Sequence, residues 1–324
     1  MDKEPALATS FDELKKKNES HYMAAARKRL ALTAVLIFLV IPALIALTVF
    51  LGSRRLYMPL SLLILVMIMA PFFMIFERRK PRAREVVLIA MMSALTVASH
   101  TFFHIAFPVQ IGTAMVIISG ISLGPEAGFL IGAMSRFVCN FYMGQGAWTP
   151  WQMFCWGLLG FLAGLAFNRE LSEDGGISNF KKILTPLLCV IFSELVAYIS
   201  FLLWQGSDET FFGWRVYLFG IIGLLLAVAF QRGKLKTDNL TMAVFTFVVT
   251  FVIYGGIMNF AAMCLSMNEP GSLGIGIKAL KALYVSGVGY DFYHALTAAI
   301  CVFVIGTPMV KKLERIKIKY GIYK

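Results

Sequence analysis

The sequence predicts an all-α, polytopic membrane helix bundle of about ten spans, on three observations. Charged residues make up 15 % of the 324 and hydrophobic residues 59 %, whereas soluble domains carry roughly 25 % charged residues. The runs Ala31 to Gly52, Leu56 to Phe76, Glu85 to His104, Ile183 to Trp204 and Leu240 to Leu265 each reach the roughly 20 apolar residues that cross a bilayer core. Lysine and arginine, finally, fall in alternate connections between the apolar runs, the pattern of a chain that crosses and recrosses a membrane.

Residues 1–30 are polar and basic, and no small-residue cleavage site follows the first apolar run. They read as a cytoplasmic tail before a retained span. The hairpin at 31–76 comes next, and ERRKPRAR at 77–84 is a basic joint in which Pro81 breaks any helix. From Glu85 the predicted spans are Glu85 to Ala106, Ile111 to Leu123, Pro125 to Tyr142, Thr149 to Phe167, Ile183 to Trp204, Trp214 to Phe230, Leu240 to Leu265 and Ser286 to Met309. Ile111 to Leu123 covers only about 20 Å at 1.5 Å per residue. Such a segment is expected to tilt, kink or border a cavity. No internal repeat is clear enough to support an inverted-repeat fold.

Net charge is +12, but in a membrane protein basic residues first report orientation. With the N-terminal tail inside and ten alternating spans, 24 of the 30 lysines and arginines face the cytoplasm. Nucleic acid is thereby dropped as a partner, both termini are expected in the cytoplasm of a multi-pass cell-membrane protein, and the break GQGAWTPWQM, Gly144 to Met153, is expected to face outward. Cys139, Cys155, Cys189, Cys264 and Cys301 lie in or near apolar runs without metal-ligand spacing, so they read as small hydrophobes. No metal or cofactor is expected.

Three stripes of small residues lie at helical spacing. Ala90, Ala94 and Ala98 in AMMSALTVA offer a close-approach face for a helix of this chain or of another. Gly124, Gly128 and Gly132, with Gly157, Gly160 and Gly164, sit on consecutive spans that must touch, and are expected to pack the bundle.

The outward break supplies the candidate binding chemistry. Gly144 and Gly146 permit tight re-entry, Thr149 can cap the next helix and Pro150 suits its first turn. Trp148, Trp151 and Trp156 with Gln145 and Gln152 are then left as functional groups around a flat or partly polar ligand. His104, Gln110, Asn140, Asn259, Asp291 and His294 fall at the same depth, and intramembrane polar groups usually face a cavity or one another. Arg136, deep in its span, is expected to pair with Glu194 or Asp291 or to hold an anionic ligand group. Asp291 and His294 are spaced to lie side by side, but no nucleophile motif accompanies them and no phosphate-binding loop is present. Catalysis and ATP hydrolysis are not expected of this chain.

From about Arg84 to Phe167, and again from about Tyr254 to the end, the chain resembles the substrate-binding S components of energy-coupling factor (ECF-type) vitamin transporters. LIAMMSALTVASH, GISLGPEAGFLIGAMSRFVCNFYMGQGAWTPWQMFCWGLLGFLAG and DFYHALTAAICVFVIGTPMVKKLERIKIKYG carry the resemblance. It implies a six-helix binder that opens outward and docks on a transmembrane coupling subunit driven by two ATPase subunits. Ala90, Ala94 and Ala98 would then be the docking face. The GQGAWTPWQM run resembles the branch associated with cobalamin and related corrinoids, although indoles and amides suit flavins, pterins and nucleobases as well. The S-component-like domain would span 85–324, with four additional helices: the hairpin 31–76 and a pair inserted at 183–230. Two other readings compete. One is a self-sufficient proton-coupled transporter using Arg136, Glu194, Asp291 and His294; the other is an assembly or sensory membrane protein whose basic tail ERIKIKYGIYK meets anionic lipid or a partner.

Overall fold

The computed structural model describes residues 83–106, 108–167, 177–206, 208–231, 233–266 and 276–320, with a few isolated positions between 62 and 74. All lie in one compact unit, Met58–Lys324. The N-terminal tail, nearly all of the hairpin at 31–76 and the basic joint lie outside the described residues.

The helices are α1 (Ala83–Ala106), α2 (Ile111–Leu123), α3 (Pro125–Met143), α4 (Thr149–Ala166), α5 (Ile177–Leu203), α6 (Trp214–Phe230), α7 (Asn239–Val249), α8 (Gly255–Ser266) and α9 (Ile277–Tyr320). A π-helical turn, Thr250–Tyr254, joins α7 to α8. Among the described residues the only extended pairing is an isolated bridge between Phe167 and Leu235.

The all-helical membrane architecture agrees with expectation; the count of ten spans is not supported by the described residues. Four of the described helices are long and apolar enough to cross a membrane: Ala83–Phe103, Leu184–Leu203, Asn239–Ser266 and Ile277–Tyr320. The 13-residue α2 shows why counting apolar runs overshoots. Every residue from Gly112 to Leu123 is buried, because α1, α3, α4 and α9 all pack around it. A helix apolar on every side is a core element when protein takes the place of lipid.

Glycine sets how tightly that core closes. A Cβ on Gly120 would lie 2.0 Å from the Gly160 carbonyl oxygen, and one on Gly160 would lie 2.3 Å from the Gly128 carbonyl oxygen. Backbone touches backbone where α2, α3 and α4 meet, which is how helices associate when lipid is as apolar as their side chains. Both predicted glycine stripes thus pack the bundle, with Gly132 against the Trp156 carbonyl and Gly164 against Pro125.

Helix α9 departs most from expectation. Its 44 residues extend about 66 Å at 1.5 Å per residue, about twice the hydrocarbon thickness. The basic C-terminal stretch is therefore helical rather than a free tail. Lys317 is buried, its Nζ donating to the Ser122 carbonyl at 2.8 Å and to Glu314 at 2.6 Å. The Arg84 guanidinium donates to the Tyr320 carbonyl at 3.0 Å. A lysine at the carbonyl end of α2 also meets the negative end of that helix.

Helix α5 packs mainly on α6, and α6 meets the core at the π turn and α9. At the α5–α6 loop, Asp208 accepts from Arg215 Nε at 3.1 Å and from Trp214 Nε1 at 3.0 Å, and it pairs with Lys281. Burial alone would raise the Asp208 carboxyl, but the hydrogen bonds from Lys281, Trp214 and Arg215 with the Lys281 charge hold it below the usual carboxylate range. The loop is thereby tied to the start of α9.

Replacing Gly160 with Leu should cost at least the about 1–3 kcal/mol typical of overpacking, since backbone atoms cannot move aside. Thermal unfolding in mild detergent, followed by loss of the monodisperse species, measures this; a melting temperature equal to wild type would contradict it.

Candidate functional site

Gly144, at φ +99°, ends α3 in a left-handed conformation that favours glycine, and the chain re-enters as α4 within a few residues. Thr149 is the first residue of α4 and not its cap, which is Trp148. Its hydroxyl instead gathers the break. It accepts from the Gly146 amide at 3.1 Å and from Asn140 Nδ2 at 3.0 Å, and donates to Gln145 Oε1 at 2.9 Å.

Gln152, one turn into α4, is the hub beneath the break. Its Oε1 accepts from Arg136 Nε at 3.0 Å and from Asn140 Nδ2 at 2.9 Å. Because Arg136 has only donors, that Gln152 atom must be oxygen; Asn140 therefore turns its NH2 to Gln152 and Thr149, leaving Oδ1 without a partner. Arg136 Nη1 lies 3.3 Å from His100 Nε2, and the guanidinium stands 5.2 Å from the Trp156 ring centroid. His100 meets Trp156 edge to face at 5.0 Å. Gly112 of α2 makes the room, since a Cβ there would lie 2.6 Å from the Trp156 ring and 2.8 Å from His100.

A second cluster begins one residue along α2. Thr113 Oγ1 and His294 Nε2 are 2.9 Å apart, and Tyr254, the last residue of the π turn, meets His294 edge to face at 4.5 Å. A π turn inside a helix often accompanies a functional site. The third cluster joins Asp291 to Asn259, whose Nδ2 donates at 2.7 Å, and to the Tyr217 hydroxyl. Cβ atoms on Gly255 and Gly287 would lie 2.7 Å from Asp291 and 2.4 Å from Asn259, so close backbone approach creates this niche.

The residues expected to share one pocket are thus distributed. Asn140, Gln152 and Trp156 converge with Arg136. His294 meets Thr113 of α2 and Tyr254 rather than the Gln152 hub. Asn259 and Asp291 satisfy each other and Tyr217, so Asp291 and His294 form no pair despite their spacing. Trp151 packs against Phe260, ring centroids 6.1 Å apart, in a separate apolar cluster with Phe129, Ala133 and Ala261. Trp148 is exposed on the loop, its Nε1 donating to the Gly144 carbonyl at 3.4 Å. Gln110 is buried as the N-cap residue of α2, and the side chain of His104 lies outside the described residues.

Arg136 pairs with neither Glu194 nor Asp291; Glu194 faces Gly220 of α6. Among the described residues Arg136 has no carboxylate partner. The buried Asn140 Oδ1, Trp156 Nε1, Trp151 Nε1 and His294 Nδ1 also lack hydrogen-bond partners, and buried polar atoms are rarely left so. Sequence reading missed His100, Thr113, Tyr217 and Tyr254. A histidine four residues before the predicted outer site signalled the first; the other three depend on helix contacts and the π turn.

Residues 80–211 match the family model described as ECF-type riboflavin transporter, S component. Over that stretch, which is less than half of its length, the chain is similar to an ECF-type S component. The match runs from the start of α1 through α5, so it includes a helix that the sequence reading set in the inserted pair. The matched family is a riboflavin one, and nothing in the match points to corrinoids. No solved structure matches the chain.

Removing the hub should be costly. Gln152→Ala leaves Arg136 Nε without its acceptor and Asn140 Nδ2 with Thr149 alone, at about 1–3 kcal/mol for the unsatisfied group, whereas Gln152→Glu keeps an acceptor. Melting temperatures in detergent should order wild type and Gln152→Glu well above Gln152→Ala; equal values for all three would show that the hub holds nothing together.

Proposed function

We propose that this protein captures a planar, vitamin-sized ligand from outside the cell and passes it to an ATP-driven coupling module made of other chains. The observation that carries the reading is the partly buried, carboxylate-free Arg136 beside the unpartnered Asn140 Oδ1 and Trp156 Nε1. Together they offer donors, an acceptor and an indole face within one layer. A ring with carbonyl acceptors beside a ring N–H complements that set, and such a ring is present in flavins. The name of the matched family makes riboflavin the first ligand to test, with cobalamin second on the resemblance of the GQGAWTPWQM run. Gln110, Trp148, Trp151, His104, His294, Asn259 and Asp291 belong to the wider candidate site, the last two as a supporting wall fastened to α6 by Tyr217.

Outward opening rests on the distribution of lysine and arginine, which puts both termini in the cytoplasm. The docking assignment for Ala90, Ala94 and Ala98 is supported by exposure. All three lie on a face of α1 shared with the exposed Val87, Met91 and Leu95, so the stripe is available to a helix of a coupling subunit.

Two experiments test the reading. Calorimetry on the purified full chain without nucleotide should detect riboflavin binding, and Arg136→Gln should weaken it about 10- to 100-fold, the loss expected for a hydrogen bond from a charged donor. Absence of binding to riboflavin, cobalamin and a wider vitamin panel would remove the capture model. Ala94→Trp should leave ligand affinity unchanged while abolishing ATP-dependent uptake by the assembled complex; normal uptake by that variant would remove the docking role.

A further inference from the structure

The α5–α6 pair stands against the core with an apolar crevice between them. Its larger part, about 430 Å³, lies among Leu162, Pro186, Leu224, Phe245 and Val249, a volume within the about 300–1,000 Å³ of typical ligand sites. A smaller cavity of about 60 Å³ continues it and shares Pro186, Leu224, Phe245 and Val249. Proline within a helix lacks an N–H and pushes against the preceding turn, so Pro186 hinders close packing where the crevice lies.

The crevice ends at the α6–α7 linker. Leu235 N donates to the Ala166 carbonyl at 2.7 Å and clips that linker to the end of α4. Gly233, at φ +85°, turns it, and the exposed Lys234 lines the mouth. The sole carboxylate of the linker, Asp238, is committed to the start of α7, accepting from the Thr241 amide at 2.9 Å and from its hydroxyl at 2.6 Å. Among the described residues Lys234 has no ion-pair partner, while the interior beyond it is apolar.

An apolar slot at helix-end depth with an exposed lysine at its rim fits one molecular shape. The geometry points to a bound anionic phospholipid, with one acyl chain between α5–α6 and the core and its phosphate at Lys234. A juxtamembrane lysine attracts anionic headgroups whatever fills the slot; the acyl chain is what the crevice adds. This site is separate from the layer around Arg136 and does not depend on the ligand assigned there.

Photo-crosslinking of the full chain in nanodiscs tests it, using phosphatidylglycerol with a diazirine on one acyl chain and a matched phosphatidylcholine probe. Adducts from phosphatidylglycerol should concentrate on peptides containing Leu162, Leu224 and Val249. Lys234→Glu should reduce them about fivefold, the effect of one basic residue near an anionic surface, and leave the phosphatidylcholine adducts unchanged. Lys234 is exposed, so this variant should fold; Leu224→Trp, checked by its melting temperature, should occlude the crevice and remove the adducts. The proposal fails if labelling spreads evenly onto the exposed α5 positions Leu188 and Ile191, if both probes label the crevice equally, or if crevice residues cross-link to a coupling chain instead of lipid.

Discussion

Backbone contact at Gly120, Gly128 and Gly160 is the constraint from which the rest of the described bundle follows. Lipid gives helices no hydrophobic reason to associate, so their attraction must come from van der Waals packing and hydrogen bonds at short range. Three glycines at one crossing remove every side chain that would hold α2, α3 and α4 apart. The consequence extends beyond stability: with α3 and α4 this close, Arg136 and Asn140 from one helix reach Gln152 from the other. A wider crossing would put water or lipid between them.

The polar layer above that crossing is built from groups that cannot all be satisfied by the protein. Gln152 joins Arg136 and Asn140, yet the Asn140 oxygen and the Trp156 and His294 nitrogens remain open. Compare the Asp291 cluster, where Tyr217 and Asn259 complete the carboxylate and glycines at 255 and 287 make the space. Both are buried and polar, but one is closed and the other retains capacity for a ligand. That contrast separates a fastening from a binding surface better than depth in the membrane does.

Much of the helical pattern was legible from the chain, since apolar length and flanking basic residues report bilayer crossing directly. Boundaries for α2 and α6 agree to the residue. The span count is unsupported at α2, where apolar composition has the same appearance whether lipid or protein surrounds a helix. Likewise α9 runs beyond its apolar stretch in both directions, because Lys281 with Asp208 at one end and Lys317 with the end of α2 at the other support helix where hydropathy alone predicts an end. Of the candidate site, Gln152, Asn140 and Trp156 were identifiable from a polar break between apolar runs. Thr113, Tyr217 and Tyr254 were not, since each belongs to an ordinary helical stretch and acquires its role only from what faces it.

By itself the sequence determined the class of the molecule: membrane-embedded, helical, glycine-packed, with a tryptophan- and amide-rich break between α3 and α4. These properties follow from local composition and spacing, which survive any arrangement of the helices. The tertiary structure alone decided which polar groups meet. It sent Asp291 to Tyr217 and His294 to Thr113, although the two are three residues apart, and it turned Trp151 away from Trp156. Side chains on neighbouring turns of one helix diverge according to the helices packed against them, and that choice is made by contacts far apart in the chain.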